Sequence, residues 1–160
     1  MVKIMRYYGY DVVLTDVPGE ICLAFSIAGC NLGCKGCFWQ SIQDAPTEEL
    51  SDQLFAAKLN EYHGLISGVL FYGGEWLVEE LIPKLQLAQS LGLKTCLYTG
   101  RQIVSAEIRQ HLDYLKTGGY REELGGLTSP TTNQRFINVN SGENLTHLFW
   151  KILPSTRKTA

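Results

Sequence analysis

Ile21-Cys22-Leu23-Ala24-Phe25-Ser26-Ile27-Ala28 runs directly into Gly29-Cys30-Asn31-Leu32-Gly33-Cys34-Lys35-Gly36-Cys37-Phe38. The first stretch is mostly apolar and rich in strand formers, the pattern of a strand buried on both faces. The second is a loop that places three cysteines within eight residues, spaced C-x3-C-x2-C. A strand that empties into a chemistry-bearing loop is the repeating unit of this chain. Val69-Leu70-Phe71-Tyr72 ends at Gly73-Gly74-Glu75, and Lys94-Thr95-Cys96-Leu97-Tyr98-Thr99 ends at Gly100.

Helical patterns separate these strands. Pro46-Thr47-Glu48-Glu49 reads as a helix start, with Thr47 as cap and two acids at the positive end of the helix dipole. Leu50, Leu54, Lys58 and Tyr62 then share a face beside Phe55 and Leu59, and Gly64 is the expected stop. Val78, Leu81, Ile82, Leu85, Ala88 and Leu91 mark an amphipathic helix closed by Gly92. Ser105 caps a short helix carrying Ile108 and Leu112, and Tyr114-Leu115-Lys116 and Phe136-Ile137-Asn138-Val139 read as later strands. Strands alternating with helices predict an α/β fold with a mostly parallel sheet. The units are too few for a closed eightfold barrel, which takes about 250 residues, so a partial (open) β/α barrel is expected. In such folds the chemistry gathers at the carboxyl ends of the strands. The cysteine loop, the Gly73-Gly74-Glu75 turn and the Thr99-Gly100 turn should therefore meet on one rim.

The chain has 160 residues, 45% hydrophobic and 19% charged, which predicts one globular domain over 1–160. Residues 1–20 read as an N-terminal extension and 155–160 as a loosely ordered tail. A net charge of -2 lacks the basic excess of a nucleic-acid binder. No apolar run approaches the roughly 20 residues that cross a bilayer, and the start lacks the apolar segment of a signal peptide. A cytoplasmic location is expected, and structural disulfides are rare there. The five cysteines then need another reading. Cys22 and Cys96, in apolar strands, read as core packing.

Thiolates are the soft ligands that iron–sulfur clusters require. Three of them on a glycine-containing loop suit a cubane of four irons, leaving one iron open to a small molecule, as in catalytic metal sites generally. Two alternatives stand beside this. A structural zinc site needs a fourth ligand, from Cys22, Cys96, His63, His111 or His147, none at zinc-finger spacing. A thiol–disulfide motif at Cys34 and Cys37 leaves Cys30 unexplained.

The C-x3-C-x2-C spacing resembles the signature of the radical S-adenosylmethionine (SAM) superfamily. Gly36 before the third cysteine and the aromatic Phe38 after it resemble one subgroup, the activating proteins of anaerobic (class III) ribonucleotide reductase. Asp16-Val17-Pro18-Gly19 is similar to the Asp-Gly-Pro-Gly element of glycyl-radical activases, with Val17 in place of a glycine. Gly73-Gly74-Glu75 resembles the superfamily's Gly-Gly-Glu motif, where this subgroup often has Asp third. Thr117-Gly118-Gly119-Tyr120 and Thr131-Thr132-Asn133-Gln134-Arg135 resemble two segments near the subgroup's C-terminus, Asp-Gly-Pro-aromatic and Ser-Ser-Asn-Gln-Arg. The likeness runs over about residues 7 to 140.

The resemblance implies a 4Fe–4S cluster on Cys30, Cys34 and Cys37, with SAM at the open iron. It implies an electron from a flavodoxin-type donor, cleavage of SAM to a 5′-deoxyadenosyl radical, and hydrogen abstraction from a glycine loop on the large subunit of anaerobic ribonucleotide reductase. Gly73 and Gly74 would offer backbone groups to SAM, and Glu75 and Thr99 side-chain oxygens. Asp16 would stand near SAM or the partner's glycine loop, and Phe38 with Trp39 would cover the cluster. Asn133, Gln134 and Arg135 would hold a loop at the adenosine or partner side. Lys35, beside a ligand cysteine, would favour the reduced cluster or attract the donor. Another glycyl-radical enzyme or a small molecule as target, and a metal-binding module without catalysis, are the competing readings.

Overall fold

A computed structural model describes residues 3–30 and 44–150. Seven strands form one sheet: β1 (Arg6–Val13), β2 (Cys22–Ile27), β3 (Glu48–Glu49), β4 (Gly68–Tyr72), β5 (Lys94–Tyr98), β6 (Tyr114–Thr117) and β7 (Arg135–Asn138). Their order across the sheet is β3-β1-β2-β4-β5-β6-β7. The middle, β2-β4-β5-β6, is parallel. The flanks, β1 on β2 and β7 on β6, are antiparallel. The protein is thus a mixed α/β fold with a mostly parallel centre. Among the described residues three helices cross between the parallel strands: α1 (Asp52–Glu61), α2 (Val78–Ser90) and α3 (Ala106–Arg109).

Side chains alternate along each central strand, so each strand feeds two cores. Leu23, Phe25, Ile27, Val69, Phe71, Leu97 and Leu115 pack beneath all three helices, against Phe55, Leu59, Leu81, Leu85, Ala88 and Ile108. Phe25, Phe55 and Phe71 form the centre of that layer, with ring centroids 5.3 to 5.9 Å apart. Burying each such ring stabilises the fold by roughly 2–3 kcal/mol. The opposite face carries Cys22, Ala24, Leu70, Cys96 and Phe136, covered by Val17 and Phe149. Burial on both faces is why the strands read as unbroken apolar runs rather than as alternation.

Cys22 and Cys96 fulfil the core reading. Burial pushes the Cys22 thiol up to about 12, helped by Glu20 and Asp16, and lifts Cys96 well above its ordinary range. Both stay protonated, unsuited to act as thiolates.

Two local expectations change. The residues read as an extension contain β1, whose apolar pattern is interrupted by a register shift between Tyr7 and Gly9. The helix read from Thr47 begins later. Glu48–Glu49 pairs with β1 as β3, and the cap is Ser51, whose side chain accepts from the Leu54 amide at 3.1 Å. The Thr47 hydroxyl instead accepts from Arg6 Nε at 2.8 Å. Ser105 does cap α3, accepting from the Ile108 amide. Within the described residues no helix is long and apolar enough to cross a membrane. The tail at 155–160 lies outside the described residues.

Candidate functional site

The site is built by strand register. Ser26, Tyr72, Tyr98 and Lys116 stand side by side across β2, β4, β5 and β6, so the four parallel strands end level. Their exit loops therefore share one rim: Ala28-Gly29-Cys30 after β2, Gly73-Gly74-Glu75 after β4, Thr99-Gly100-Arg101 after β5 and Gly118-Gly119 after β6. Backbone hydrogen bonds tie neighbouring loops to one another. The Gly73 amide donates to Tyr98 O (2.8 Å), Thr99 N to Lys116 O (2.9 Å) and Gly118 N to Arg101 O (2.8 Å).

Cys30 is a free, exposed cysteine two residues beyond Ala28, whose amide is fixed to Arg6 O at 2.9 Å. The other two expected ligands, Cys34 and Cys37, lie outside the described residues, as do Lys35, Phe38 and Trp39. Among the described residues no three His, Cys, Asp or Glu side chains gather around a common point.

Gly73 and Gly74 adopt φ of 89° and 107°, a region that costs any other residue. Space also requires glycine at the first. A Cβ on Gly73 would stand 2.8 Å from Cη2 of Trp76, and one on Gly29 would stand 3.0 Å from Nε1 of the same indole. Trp76 therefore joins the start of the cysteine loop to the Gly-Gly turn. Sequence reading passes over this residue; a lone tryptophan after a turn carries no spacing signal.

Glu75 is buried, with its Oε1 meeting no hydrogen-bond partner among the described residues. Arg101 Nε stands 3.8 Å from Oε2. Burial raises the Glu75 carboxyl above its ordinary value, opposed by the Thr99 hydroxyl, by Arg101 and by Lys116. Thr99 is buried as well, and its hydroxyl accepts from the Arg101 amide at 3.0 Å. Lys116, unassigned in the sequence, is a buried cation whose Nζ donates to Thr99 O (3.2 Å) and Gly118 O (3.0 Å). It binds the ends of two rim loops, a role that a strand lysine does not announce.

Asp16 reaches the same end of the sheet by a different route. Its Oδ2 accepts from the Tyr72 hydroxyl at 2.5 Å, and its backbone carbonyl accepts from the Tyr98 hydroxyl. The residue is half-buried against the sheet face opposite the helices. Asn133 and Gln134 stand over the β6 end, with Asn133 Nδ2 donating to Gly119 O (3.1 Å) and Gln134 Nε2 to Gly118 O (3.4 Å). Arg135 turns back, its Nη1 donating to the carbonyls of Thr132 and Gln134.

This donor set suits a thiolate-bound cluster with a polar ligand beside it. One free thiol, Cys30, lies at the rim. On the same rim are a glycine turn packed on Trp76, and a buried acid whose Oε1 has no partner among the described residues.

Residues 16–124 match the model of a family described as a 4Fe-4S single cluster domain. That span covers Cys30, Cys34 and Cys37, the Gly73-Gly74-Glu75 turn and Thr99. No curated protein matches the chain.

Proposed function

The chain belongs to the 4Fe-4S single cluster domain family, an iron–sulfur protein, and from that premise we propose that it is a radical SAM activase that generates a glycyl radical on anaerobic ribonucleotide reductase. One observation carries the reading: the rim that bears Cys30 also bears Gly73, Gly74 and a buried Glu75 whose Oε1 has no partner among the described residues. A buried acceptor without a donor is costly unless a ligand supplies one. The α-amine of SAM is a charged donor of the right kind.

In this reading Cys30, Cys34 and Cys37 hold the cluster. When bound, the cluster supplies one electron and an open iron to SAM, whose cleavage provides a carbon radical able to take hydrogen from a glycine. Gly73 and Gly74 offer backbone groups to the methionyl end, and Glu75 accepts from its amine. Thr99 adds a hydroxyl on the neighbouring loop. Asp16, fixed by Tyr72 and Tyr98, positions the 14–21 segment over the sheet face on which the partner's glycine loop would enter. Phe38 and Trp39 exclude water from the cluster. The electron comes from a flavodoxin-type donor.

The test is formation of 5′-deoxyadenosine. Protein purified without oxygen, reconstituted with iron and sulfide, is reduced with dithionite and given SAM, beside a Cys34→Ala control. Product from the native chain and none from the control is expected. A native chain that holds iron yet yields no product contradicts the reading.

A further inference from the structure

Trp76 stands where two rim loops meet, and its indole lies on the backbone of both. We infer that Trp76 is a positioning residue: it holds the start of the cysteine loop and the Gly73-Gly74-Glu75 turn at a fixed separation, so that filling the loop with a cluster orders the turn for its ligand. The inference rests on the cluster and SAM reading above and gives a role there to a residue that no motif contains.

The indole meets the two loops along two of its edges. A Cβ on Gly29 would stand 3.0 Å from Nε1, 3.4 Å from Cε2 and 3.5 Å from Cζ2. A Cβ on Gly73 would stand 2.8 Å from Cη2 and 3.3 Å from Cζ3. Both glycines have positive φ, 108° and 89°, so backbone shape and the flat ring each demand glycine there. Contact with backbone on both sides matters. Side-chain contacts relax by rotation, and these cannot.

Neither loop is free to drift from the ring. The Ala28 amide donates to Arg6 O at 2.9 Å, which fixes the approach to Gly29 from the β1 side. The Gly73 amide donates to Tyr98 O at 2.8 Å, and a Cβ on Gly74 would meet Met5 Cε at 3.4 Å and Ile27 Cγ1 at 3.6 Å. The turn thus rests on the end of β2 as well as on the indole. The Leu77 amide closes the turn by donating to Gly74 O at 2.9 Å, with Glu75 and Trp76 at its centre. One tight turn therefore presents the buried acid and the indole together, and a shift of the indole shifts Glu75. Close-packed groups of this kind pass a displacement on rather than absorb it. The coupling runs both ways: whatever fixes Gly29 favours the ligand-ready turn, and a ligand on the turn favours the fixed loop.

The test reads hydrogen exchange of the native chain by mass spectrometry, without oxygen and without SAM, before and after reconstitution with iron and sulfide. Loading should slow exchange at residues 73–77 about threefold or more, and Trp76→Leu, with its iron bound, should lose most of that slowing. A second measurement is SAM affinity of the loaded protein by calorimetry. Gly29→Ala, which presses on the indole from the loop side, should bind SAM about tenfold more weakly, and the same change made in Trp76→Leu should alter affinity less than about twofold. The exchange experiment uses the native protein, so it stands even if a variant folds poorly. A loaded native chain whose turn exchanges at the cluster-free rate overturns the inference. So does slowing that survives in Trp76→Leu, or Gly29→Ala and Trp76→Leu effects on SAM that simply multiply; either assigns the indole to packing alone. A loaded native chain that binds no SAM overturns the SAM reading instead, and the exchange measurement still decides the part played by Trp76.

Discussion

The hydroxyl of Tyr72 donates to Oδ2 of Asp16 at 2.5 Å, tying the end of β4 to a residue 56 positions earlier. This bond, with that from Tyr98 to the Asp16 carbonyl, fastens the segment between β1 and β2 to the carboxyl end of the sheet. Burial first, and then the Asp16 carboxylate, raise the Tyr72 hydroxyl above its ordinary value, so it remains a donor at all ordinary pH. Tyr72→Phe removes a hydrogen bond to a charged group, a loss of about 1–2 kcal/mol. For a chain of this length the melting temperature should fall by roughly 3–6 °C. Hydrogen exchange should quicken at residues 16–21 and not in α1. An unchanged exchange rate there would mean that Asp16 does not fasten the segment.

Glu75 sets a pH dependence of known sign. Its folded pKa is raised, chiefly by burial, so the folded chain binds this proton more readily than the unfolded chain. The stability it contributes is full below the ordinary value of 4.5 and is lost as pH rises through the raised value. Above that raised value the native chain bears the penalty of a buried carboxylate. Glu75→Gln should melt higher than the native chain at pH 7, and the gap should close as pH falls towards 4.5, while SAM affinity drops. Thermal melts across that range check it; a Gln variant less stable at neutral pH would show that Arg101 and Thr99 outweigh burial.

Gly73→Ala meets two obstacles at once, a φ of 89° and a Cβ 2.8 Å from Trp76. A loss of about 2–3 kcal/mol is expected from backbone strain and overpacking together. Trp76→Leu in the same chain should recover only the steric part, since the dihedral cost remains. Denaturant melts of the two single variants and the double variant separate these contributions. Full recovery would mean that the dihedral carries no cost.

Helix α2 buries Lys84 completely, and its ammonium reaches Asp52 Oδ1 of α1 at 2.8 Å and Glu80 O at 3.3 Å. Asp52 itself is largely exposed. Asp52→Ala leaves a buried cation with a single backbone acceptor, and should cost about 2 kcal/mol. Lys84→Met, which fills the same space without the charge, should cost less. Denaturant melts of both order them, and the reverse order would show that the ion pair stabilises beyond its desolvation.

The rim was legible because its residues are of unusual type in unusual order. Cys30, two adjacent glycines before an acid, and a threonine-glycine pair each follow an apolar run, and parallel strands bring such closures to one end. The central strands were legible for the same reason, since burial on both faces leaves uninterrupted apolar stretches such as Val69-Leu70-Phe71. β1 was not, because Gly9 and the bulge beside Tyr7 break its period. Nor was β3, two glutamates whose strand pairing depends on Arg6 and Tyr7, far away in the chain. The same sequence, Thr47-Glu48-Glu49, offers a helix start locally, and tertiary pairing overrides it. Lys116, Trp76 and Tyr72 escape notice as site residues because their importance lies in what they touch across the sheet, and none of them sits in a motif.

The most direct test of a three-cysteine cluster open to SAM is electron paramagnetic resonance of the reduced, iron-reconstituted protein, recorded with and without SAM, alongside metal analysis. The account predicts about four irons per chain, a reduced-cluster signal that shifts when SAM is added, and loss of that signal in Cys30→Ala. Stoichiometric zinc in place of iron, or a cluster signal indifferent to SAM, would contradict it.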